Sequence, residues 1–288
     1  CRTSLSCGAE RYEERIVKFG FVIPYASATE FVDLAVEIEQ AGWDAAFGWE
    51  TVYGIDPWVV LGGMAVRTER IRLGTLLTPP SRRRPWKLAS ELATLDLLSN
   101  GRAMLCAGLG AIETGFAQVG EETDRKQRAE LMDESLELLE RFWSGEPFAY
   151  QGVHYQIDWN NPTGVVVPVQ QPRIPIWTVA LMGSTASLRR AARWDGILPN
   201  KRNPDGTWSI PGPGELLALG EQLASLGANL ETFDIAIEGA TPIGDEAALD
   251  HVRGLAENGA TWWIESMWET LGGISAVRER IAAGPPRL

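Results

Sequence analysis

Residues 56–110 read DPWVVLGGMAVRTERIRLGTLLTPPSRRRPWKLASELATLDLLSNGRAMLCAGLG. The apolar run from Trp58 to Ala65 predicts a helix that gives way at Thr68-Glu69-Arg70. Ile71 to Thr78 predicts a buried strand, stopped by Pro79-Pro80 because proline cannot donate to a ladder. Leu88, Leu92, Leu95 and Leu98 then recur at helical spacing and end at Asn100-Gly101, a glycine stop. Ala103 to Ala107 is a second buried strand, and it opens into Gly108-Leu109-Gly110. Two helix–strand units of this kind describe a parallel β/α chain whose working face lies at the C-terminal strand ends.

The same alternation extends in both directions. Val17 to Ile23 predicts a strand, followed by a helix capped by Thr29 with Phe31, Leu34, Ala35 and Ile38 on its inner stripe. Asp44 to Trp49 is a strand leaving into Glu50-Thr51-Val52-Tyr53-Gly54. A long helix from Lys126 to Trp143 carries Met132, Leu136, Leu139 and Trp143 on one side, with Glu130, Glu134 and Glu137 on a solvated face. Gly145 to Arg173 breaks the rhythm: Phe148 to Ile157 reads as a hairpin, followed by a loop rich in Asn, Pro and Gly. An insertion of this length is expected to be functional or a lid rather than a second domain.

The rhythm then resumes with strands over 174–180, 195–199, 233–238 and 261–265, and helices over 184–193, 214–227, 245–258 and 275–283. Strict alternation of this length favours an α/β fold closed as a (β/α)8 TIM barrel, with the hairpin and loop inserted between the fourth helix and fifth strand, over an open doubly wound sheet. Residues 1–15 are expected to form a flexible extension, and 16–288 a single barrel domain.

A net charge of −12 argues against nucleic acid or an anionic membrane as partner. No apolar run reaches membrane-spanning length and Cys1 to Arg15 is too polar for a secretory signal, so the expected location is cytoplasmic. Cys1, Cys7 and Cys106 make no disulfide framework, and His154 and His251 lack the company a metal site needs. No G-x-S-x-G elbow, P-loop or H-E-x-x-H is present, which lowers hydrolase, kinase and metalloprotease readings.

In a barrel the residues just past each strand face the pocket. Here they are Glu50 and Thr51, Leu77 and Thr78, Gly108 to Gly110, Leu181 to Thr185, Asn200 and Lys201, Glu238, and Glu265 with Ser266 and Trp268. Trp49, Tyr53, Trp58, Trp177, Trp262, Trp263 and Trp268 lie at or near strand ends, either lining a slot for a large planar ligand or packing the barrel shell. Met182-Gly183-Ser184-Thr185 joins a strand to a helix start and reads as a phosphate cradle or as a plain cap at Ser184. Arg128 could reach the same phosphate or lie on the surface. Arg82-Arg83-Arg84 with Lys87 is a solvated loop or a site for an anionic tail. Gly108-Leu109-Gly110 lacks the third glycine of a dinucleotide fingerprint and belongs to the fourth repeat, so it reads as room for a flat ring against backbone.

The stretches Thr68-Glu69-Arg70-Ile71-Arg72-Leu73-Gly74-Thr75, Leu95-Asp96-Leu97-Leu98-Ser99-Asn100-Gly101-Arg102 and Ala191-Ala192-Arg193-Trp194-Asp195-Gly196 resemble the bacterial-luciferase-like family of flavin-dependent oxidoreductases. Weaker support comes from Arg128-Ala129-Glu130, Gly152-Val153-His154-Tyr155 and Pro175-Ile176-Trp177. The resemblance implies a barrel, often a homodimer, holding reduced FMN or the deazaflavin coenzyme F-420. It implies a non-proline cis peptide at Leu76-Leu77 against the ring, with Thr78 and Gly108 beside it. Arg128, Met182, Gly183, Ser184 and Thr185 fall at its phosphate-holding positions, and Glu50 with Thr51 at its polar pocket position.

The sequence also departs from that family. Thr51 stands where many members have histidine, Cys106 where glycine is usual, Leu109 where luciferase has arginine, and Ala111 where a sugar-phosphate dehydrogenase has a catalytic glutamate. Light emission and sugar-phosphate oxidation are therefore not expected. The leading expectation is a two-component monooxygenase using reduced FMN from a separate flavin reductase, dioxygen and a small organic substrate. The alternatives are deazaflavin hydride transfer and a non-catalytic flavin-binding protein.

Overall fold

The computed structural model describes residues 17–161, 163–268 and 272–288; the extension expected at residues 1–15 lies outside them. The strands are β1 (Lys18–Val22), β2 (Ala45–Gly48), β3 (Arg72–Thr78), β4 (Ala103–Ala107), β5 (Phe148–Gln151), β6 (Gln156–Trp159), β7 (Ile176–Leu181), β8 (Gly196–Arg202), β9 (Trp208–Ser209), β10 (Asp234–Gly239) and β11 (Trp262–Glu265). The helices are α1 (Ala28–Gln40), α2 (Pro57–Arg67), α3 (Pro85–Ser99), α4 (Arg125–Trp143), α5 (Thr185–Ala191), α6 (Pro213–Ser225), α7 (Glu246–Glu257) and α8 (Gly273–Ala282). Parallel pairing runs β1–β2–β3–β4–β7–β8–β10–β11 and back to β1, so the sheet closes as the expected (β/α)8 barrel.

The two-residue period of each strand divides its side chains between lumen and shell. Val22, Phe47, Met104, Trp177, Ala236 and Trp262 belong to one buried cluster inside the ring. The alternating residues Phe21, Ala46, Leu105 and Ile176 face the helices in a second cluster with Leu34, Leu61, Leu92 and Leu136. Gly196 makes room for the lumen: a Cβ there would stand 2.5 Å from Trp177 Cδ1.

Several local expectations are corrected. The cap of α1 is Ser27, not Thr29: Ser27 accepts the Glu30 N–H while the Glu30 carboxylate accepts the Ser27 N–H at 2.9 Å, a reciprocal box that Thr29 is one turn position too late to make. Leu98 of α3 is exposed, because the helix buries Leu88, Leu92, Ser99 and Leu95 instead. Glu134 of α4 is not solvated; its carboxylate accepts the N–H groups of Val153 (2.7 Å), His154 (3.1 Å) and Tyr155 (3.0 Å). β9, a two-residue strand antiparallel to the end of β8, is too short to show a period.

Those three bonds dock the β5–β6 hairpin on α4. Phe142 adds edge-to-face contacts with Phe148 at 5.0 Å and Trp159 at 5.6 Å, and Tyr155 meets Trp86 of α3 at 6.3 Å. A cavity of about 520 Å³ lies under the insertion, with Trp86, Trp143, Trp159 and Val165 among its walls. Among the described residues, these contacts of the insertion cover a flank of α3 and α4.

Candidate active site

Continuing the lumen faces by two residues gives the ring of positions at the open C-terminal end of the barrel, through Trp49, Gly108, Leu181, Asn200, Glu238 and Ser266; on β3 the bulge between Leu76 and Thr78 brings Leu77 into it. One side, on β3, β4 and β7, is apolar. There the Leu76-Leu77 peptide is cis, as the resemblance implied, and the β3–β4 register shifts between Leu76 and Thr78. Gly108 lets Leu77 lie flat across the neighbouring strand: a Cβ at Gly108 would be 2.7 Å from Leu77 Cδ2 and 3.2 Å from Val179 Cγ2. The opposite side, on β8, β10 and β11, carries Asn200, Glu238 and Ser266. Trp177 and Trp262, packed edge to face at 5.3 Å, close the lumen beneath.

Aromatic residues divide between wall and shell. Trp268 packs edge to face on Trp49 at 5.4 Å, and Trp49 on Tyr25 at 5.1 Å, forming a wall over the exits of β1, β2 and β11. Trp58 and Trp263 belong to the helix-facing clusters, and Tyr53 is 97% exposed.

Glu50 is not a free carboxylate. Arg83 Nε lies 3.1 Å from its Oε1 and 3.2 Å from Oε2, with Arg82 Nη1 at 3.8 Å. Arg82 also donates to the backbone oxygens of Thr51 (3.0 Å) and Val52 (3.1 Å). Arg82 and Arg83 thus tie the β2 and β3 exit loops together and are largely withdrawn from solvent, at 10% and 16% exposure. The Thr51 hydroxyl sits under Gly54, where a Cβ would meet it at 2.8 Å. Thr78 is fully buried and its hydroxyl is hydrogen-bonded to Thr75 at 2.8 Å, so its side chain does not reach the mouth.

Arg128 is buried and donates to the carbonyl oxygens of Leu109 (2.6 Å) and Gly110 (3.2 Å). Its guanidinium therefore secures the β4 exit through Nη1. Its Nε remains buried without a partner among the described residues.

At the start of α5, Ser184 caps the helix and accepts the Ser187 N–H at 3.4 Å, so the cap reading holds. Gly183 has φ +79°, and the direction a Cβ would take from it is open space. Thr185 is exposed beside Met182, which is half-buried. The bend at Met182–Thr185 offers backbone N–H groups and room for an anion, and the Leu76, Leu77, Gly108 and Val179 bed offers a flat apolar support. The residues present fit a phosphorylated planar ring.

Glu238 was among the residues expected near the mouth, but nothing in its sequence context gave it a role. Its Oε1 accepts the Trp268 indole N–H at 2.6 Å, while the Ser266 hydroxyl donates to the Gly239 carbonyl oxygen at 3.3 Å. Burial raises its pKa above the ordinary carboxylate value, outweighing the opposing influence of Trp268 and Ser266. Burial likewise pushes the Cys106 thiol up, and the charge of Glu238 adds to that shift. Glu265, also expected at the mouth, faces outward. It accepts from Thr241 N (2.8 Å), Trp263 Nε1 (3.2 Å) and Arg280 Nη2 (3.1 Å), because the register that puts Ile264 in the lumen puts its neighbour in the shell.

Among the described residues no helix is long and apolar enough to cross a membrane, and no group of three or more His, Cys, Asp and Glu could hold a metal ion.

Comparison with known proteins agrees with this architecture. A deazaflavin F-420-dependent glucose-6-phosphate dehydrogenase of Nocardia farcinica is 34% identical over 187 residues, covering 59% of this chain and 52% of that protein. The chain thus spans about half the length of the curated relatives it matches. The coenzyme F-420-dependent tetrahydromethanopterin reductase of Methanopyrus kandleri superposes with a TM-score of 0.73 at 18% identity, covering 93% of this chain and 96% of that one. The oxygenating constituent of the 3,6-diketocamphane monooxygenase of Pseudomonas putida superposes with a TM-score of 0.62 at 18% identity, covering 78% and 67%. At those identities the two structures speak for the fold alone. The model of the luciferase-like monooxygenase family matches residues 11–267, and the chain belongs to that family.

Proposed function

We propose that the protein is an oxidoreductase that transfers hydride between a bound deazaflavin, coenzyme F-420, and a small organic substrate in the barrel mouth. The observation that carries this reading is the two-sided mouth: a flat apolar bed at Leu76, Leu77, Gly108 and Val179 facing a polar arc at Asn200, Glu238 and Ser266. A planar ring needs the first side, and a substrate oxygen or nitrogen changing its protonation needs the second. The Nocardia farcinica relative supports the choice of deazaflavin, which reverses the order expected from the sequence.

When bound, the ring would accept or donate the hydride. Leu76, Leu77 and Gly108 would support its face, and backbone N–H groups at Gly183 and Thr185 would hold its phosphate with the first turn of α5. Met182 and Ser184 shape that bend. Arg128 would act indirectly, by holding the Leu109 and Gly110 carbonyls. Glu50 and Thr51 would brace the mouth rather than touch reacting atoms.

A second reading is the monooxygenase using reduced FMN and dioxygen, with a flavin reductase as partner. The apolar bed of Leu77, Gly108 and Val179 favours it, since an oxygen adduct of the ring survives only where water is excluded. A homodimer is proposed under either reading, supported by exposed Val59, Val66, Leu97 and Leu98 on the outer faces of α2 and α3.

Fluorescence titration with oxidised coenzyme F-420 and with FMN tests the choice. Tighter binding of the deazaflavin, and its reduction or reoxidation by organic substrates without oxygen uptake, are expected. Preference for FMN with oxygen uptake would move the assignment to the second reading, and binding of neither ring would remove both.

A further inference from the structure

β10 presents Ala236 to the lumen, and two residues further along the same face stands Glu238. Below it, Asp234 is committed: its Oδ2 accepts the Trp177 indole N–H at 3.2 Å and its Oδ1 the Thr261 hydroxyl at 3.1 Å. Glu238 has no such commitment to the scaffold. Its side-chain hydrogen bond is from Trp268, on the loop leaving β11, and it forms no ion pair among the described residues.

The groups around it leave it as the acid of the mouth. Across the lumen on β4 stands Cys106, whose thiol stays protonated. On β8, Lys201 is paired to Glu215 at 2.7 Å, and on β11, Glu265 turns away to Arg280. Glu50 on the β2 exit is held by Arg83. Trp268, which donates to Glu238, is also the end of the wall formed with Trp49 and Tyr25. A carboxyl at the foot of an aromatic wall, facing an apolar bed, suits an uncharged substrate with an apolar body and one oxygen.

We propose that Glu238 is the catalytic residue that exchanges a proton with the oxygen of an uncharged alcohol or carbonyl substrate. The proposal rests on the reading of this site as a hydride-transfer centre. In the oxidising direction the substrate C–H bond breaks and its electron pair leaves as hydride for the bound deazaflavin. The O–H bond breaks, its proton goes to the Glu238 carboxylate, and the C=O double bond forms. In reverse the Glu238 carboxyl gives its proton to the carbonyl oxygen as the carbon receives hydride. Burial raises the pKa of this carboxyl, which eases its taking up a proton in one direction and giving it back in the other.

The test uses the full chain as wild type, Glu238→Gln and Trp268→Phe. Tryptophan fluorescence followed against pH should show a transition above the ordinary carboxylate range in the wild type, absent from both variants. Coenzyme F-420 should bind wild type and Glu238→Gln with the same Kd within about threefold. Reoxidation of the bound reduced coenzyme by cyclohexanone and benzaldehyde, in a single turnover, should be about a hundredfold slower in Glu238→Gln and lose its pH dependence.

Equal rates and equal pH profiles in wild type and Glu238→Gln, or reoxidation by these carbonyl compounds in neither, would overturn the proposal while leaving coenzyme binding intact. Failure of the wild type to bind the coenzyme would overturn the underlying reading and the proposal with it. The fluorescence transition needs no altered chain, so its absence in the wild type counts against the proposal even if a variant fails to fold.

Discussion

The Arg83 guanidinium and the Glu50 carboxylate are bound to each other over 3.1 Å, joining the loop that leaves β2 to the loop that leaves β3. Both side chains are largely withdrawn from water, at 16% and 5% exposure, and Arg83 extends the link to Glu91 of α3 at 2.8 Å. Removing one charge of such a pair strands the other, which costs more than the pair was worth. Glu50→Gln should therefore lower stability by about 2–3 kcal/mol, a fall of about 3–5 °C in Tm. Its effect on the proposed hydride transfer should follow the loss of folded protein. Thermal unfolding measured beside single-turnover rates at a temperature where the variant is fully folded checks this. A rate loss at full folding would return Glu50 to the chemistry.

A second carboxylate gives a pH signature. Glu39 of α1 accepts the N–H groups of Glu69 (3.0 Å), Arg70 (2.6 Å) and Ile71 (3.0 Å). Burial works to raise its pKa, but the three backbone donors outweigh it and the net shift is downward. A depressed folded-state pKa means stability that is present above the unfolded pKa and lost as pH falls through the folded one. Glu39→Gln should cost about 2 kcal/mol at neutral pH, and the difference from wild type should shrink steadily below about pH 4. Urea midpoints across pH measure it.

Gly108→Ala isolates the ring support. The added Cβ would stand 2.7 Å from Leu77 Cδ2 and 3.1 Å from Cδ1, so the Leu77 side chain must move. That crowding costs about 1 kcal/mol of stability. Because Leu77 is the proposed bed, coenzyme affinity should fall about tenfold, near 1.4 kcal/mol, with circular dichroism unchanged. Unchanged affinity with Leu77 displaced would mean that the ring lies elsewhere.

The fold was legible because each repeat announces itself: an apolar strand with proline or glycine at its exit, then an amphipathic helix. The residues carrying the family resemblance were legible as a pattern but not as physics. Arg102 donates to the carbonyls of Ala65 (3.0 Å), Thr68 (2.8 Å), Ile71 (2.8 Å) and Ser99 (2.8 Å), closing the end of α2 onto the start of β3. Asp195 accepts the Ile176 N–H at 2.7 Å and holds Arg173. These staples lie at the strand starts, the opposite end from the mouth.

The candidate site was legible in its backbone features: the Gly183 bend from its place between a strand and a helix start, and the Leu76-Leu77 cis peptide through the family resemblance. It was not legible where a long side chain chooses its direction. Arg128 turning to Leu109, Arg83 to Glu50 and Glu265 to Arg280 all depend on partners distant in sequence. Strand parity alone would have separated Glu238 from Glu265, since Ala236 and Ile264 mark the lumen face of β10 and β11.

Gly183→Ala separates the phosphate bend from the ring bed. At φ +79° an alanine is strained by about 1–2 kcal/mol, yet its methyl would enter open space, so no neighbour is disturbed. Relief of that strain would rotate the Gly183 and Thr185 peptide N–H groups, which are proposed to face the phosphate; the Ser184 N–H is held by the Leu181 carbonyl oxygen at 3.1 Å. A phosphorylated ring should then lose affinity and its phosphate-free counterpart should not. Titrating wild type and Gly183→Ala with FMN and with riboflavin reads the difference, because the two ligands share one ring and differ in the anion. The expected result is about a tenfold weaker Kd for FMN and no change for riboflavin, 1.4 kcal/mol assigned to the anion alone. An equal loss for both would place the bend under the ring instead, and no loss for either would remove α5 from the binding of phosphate.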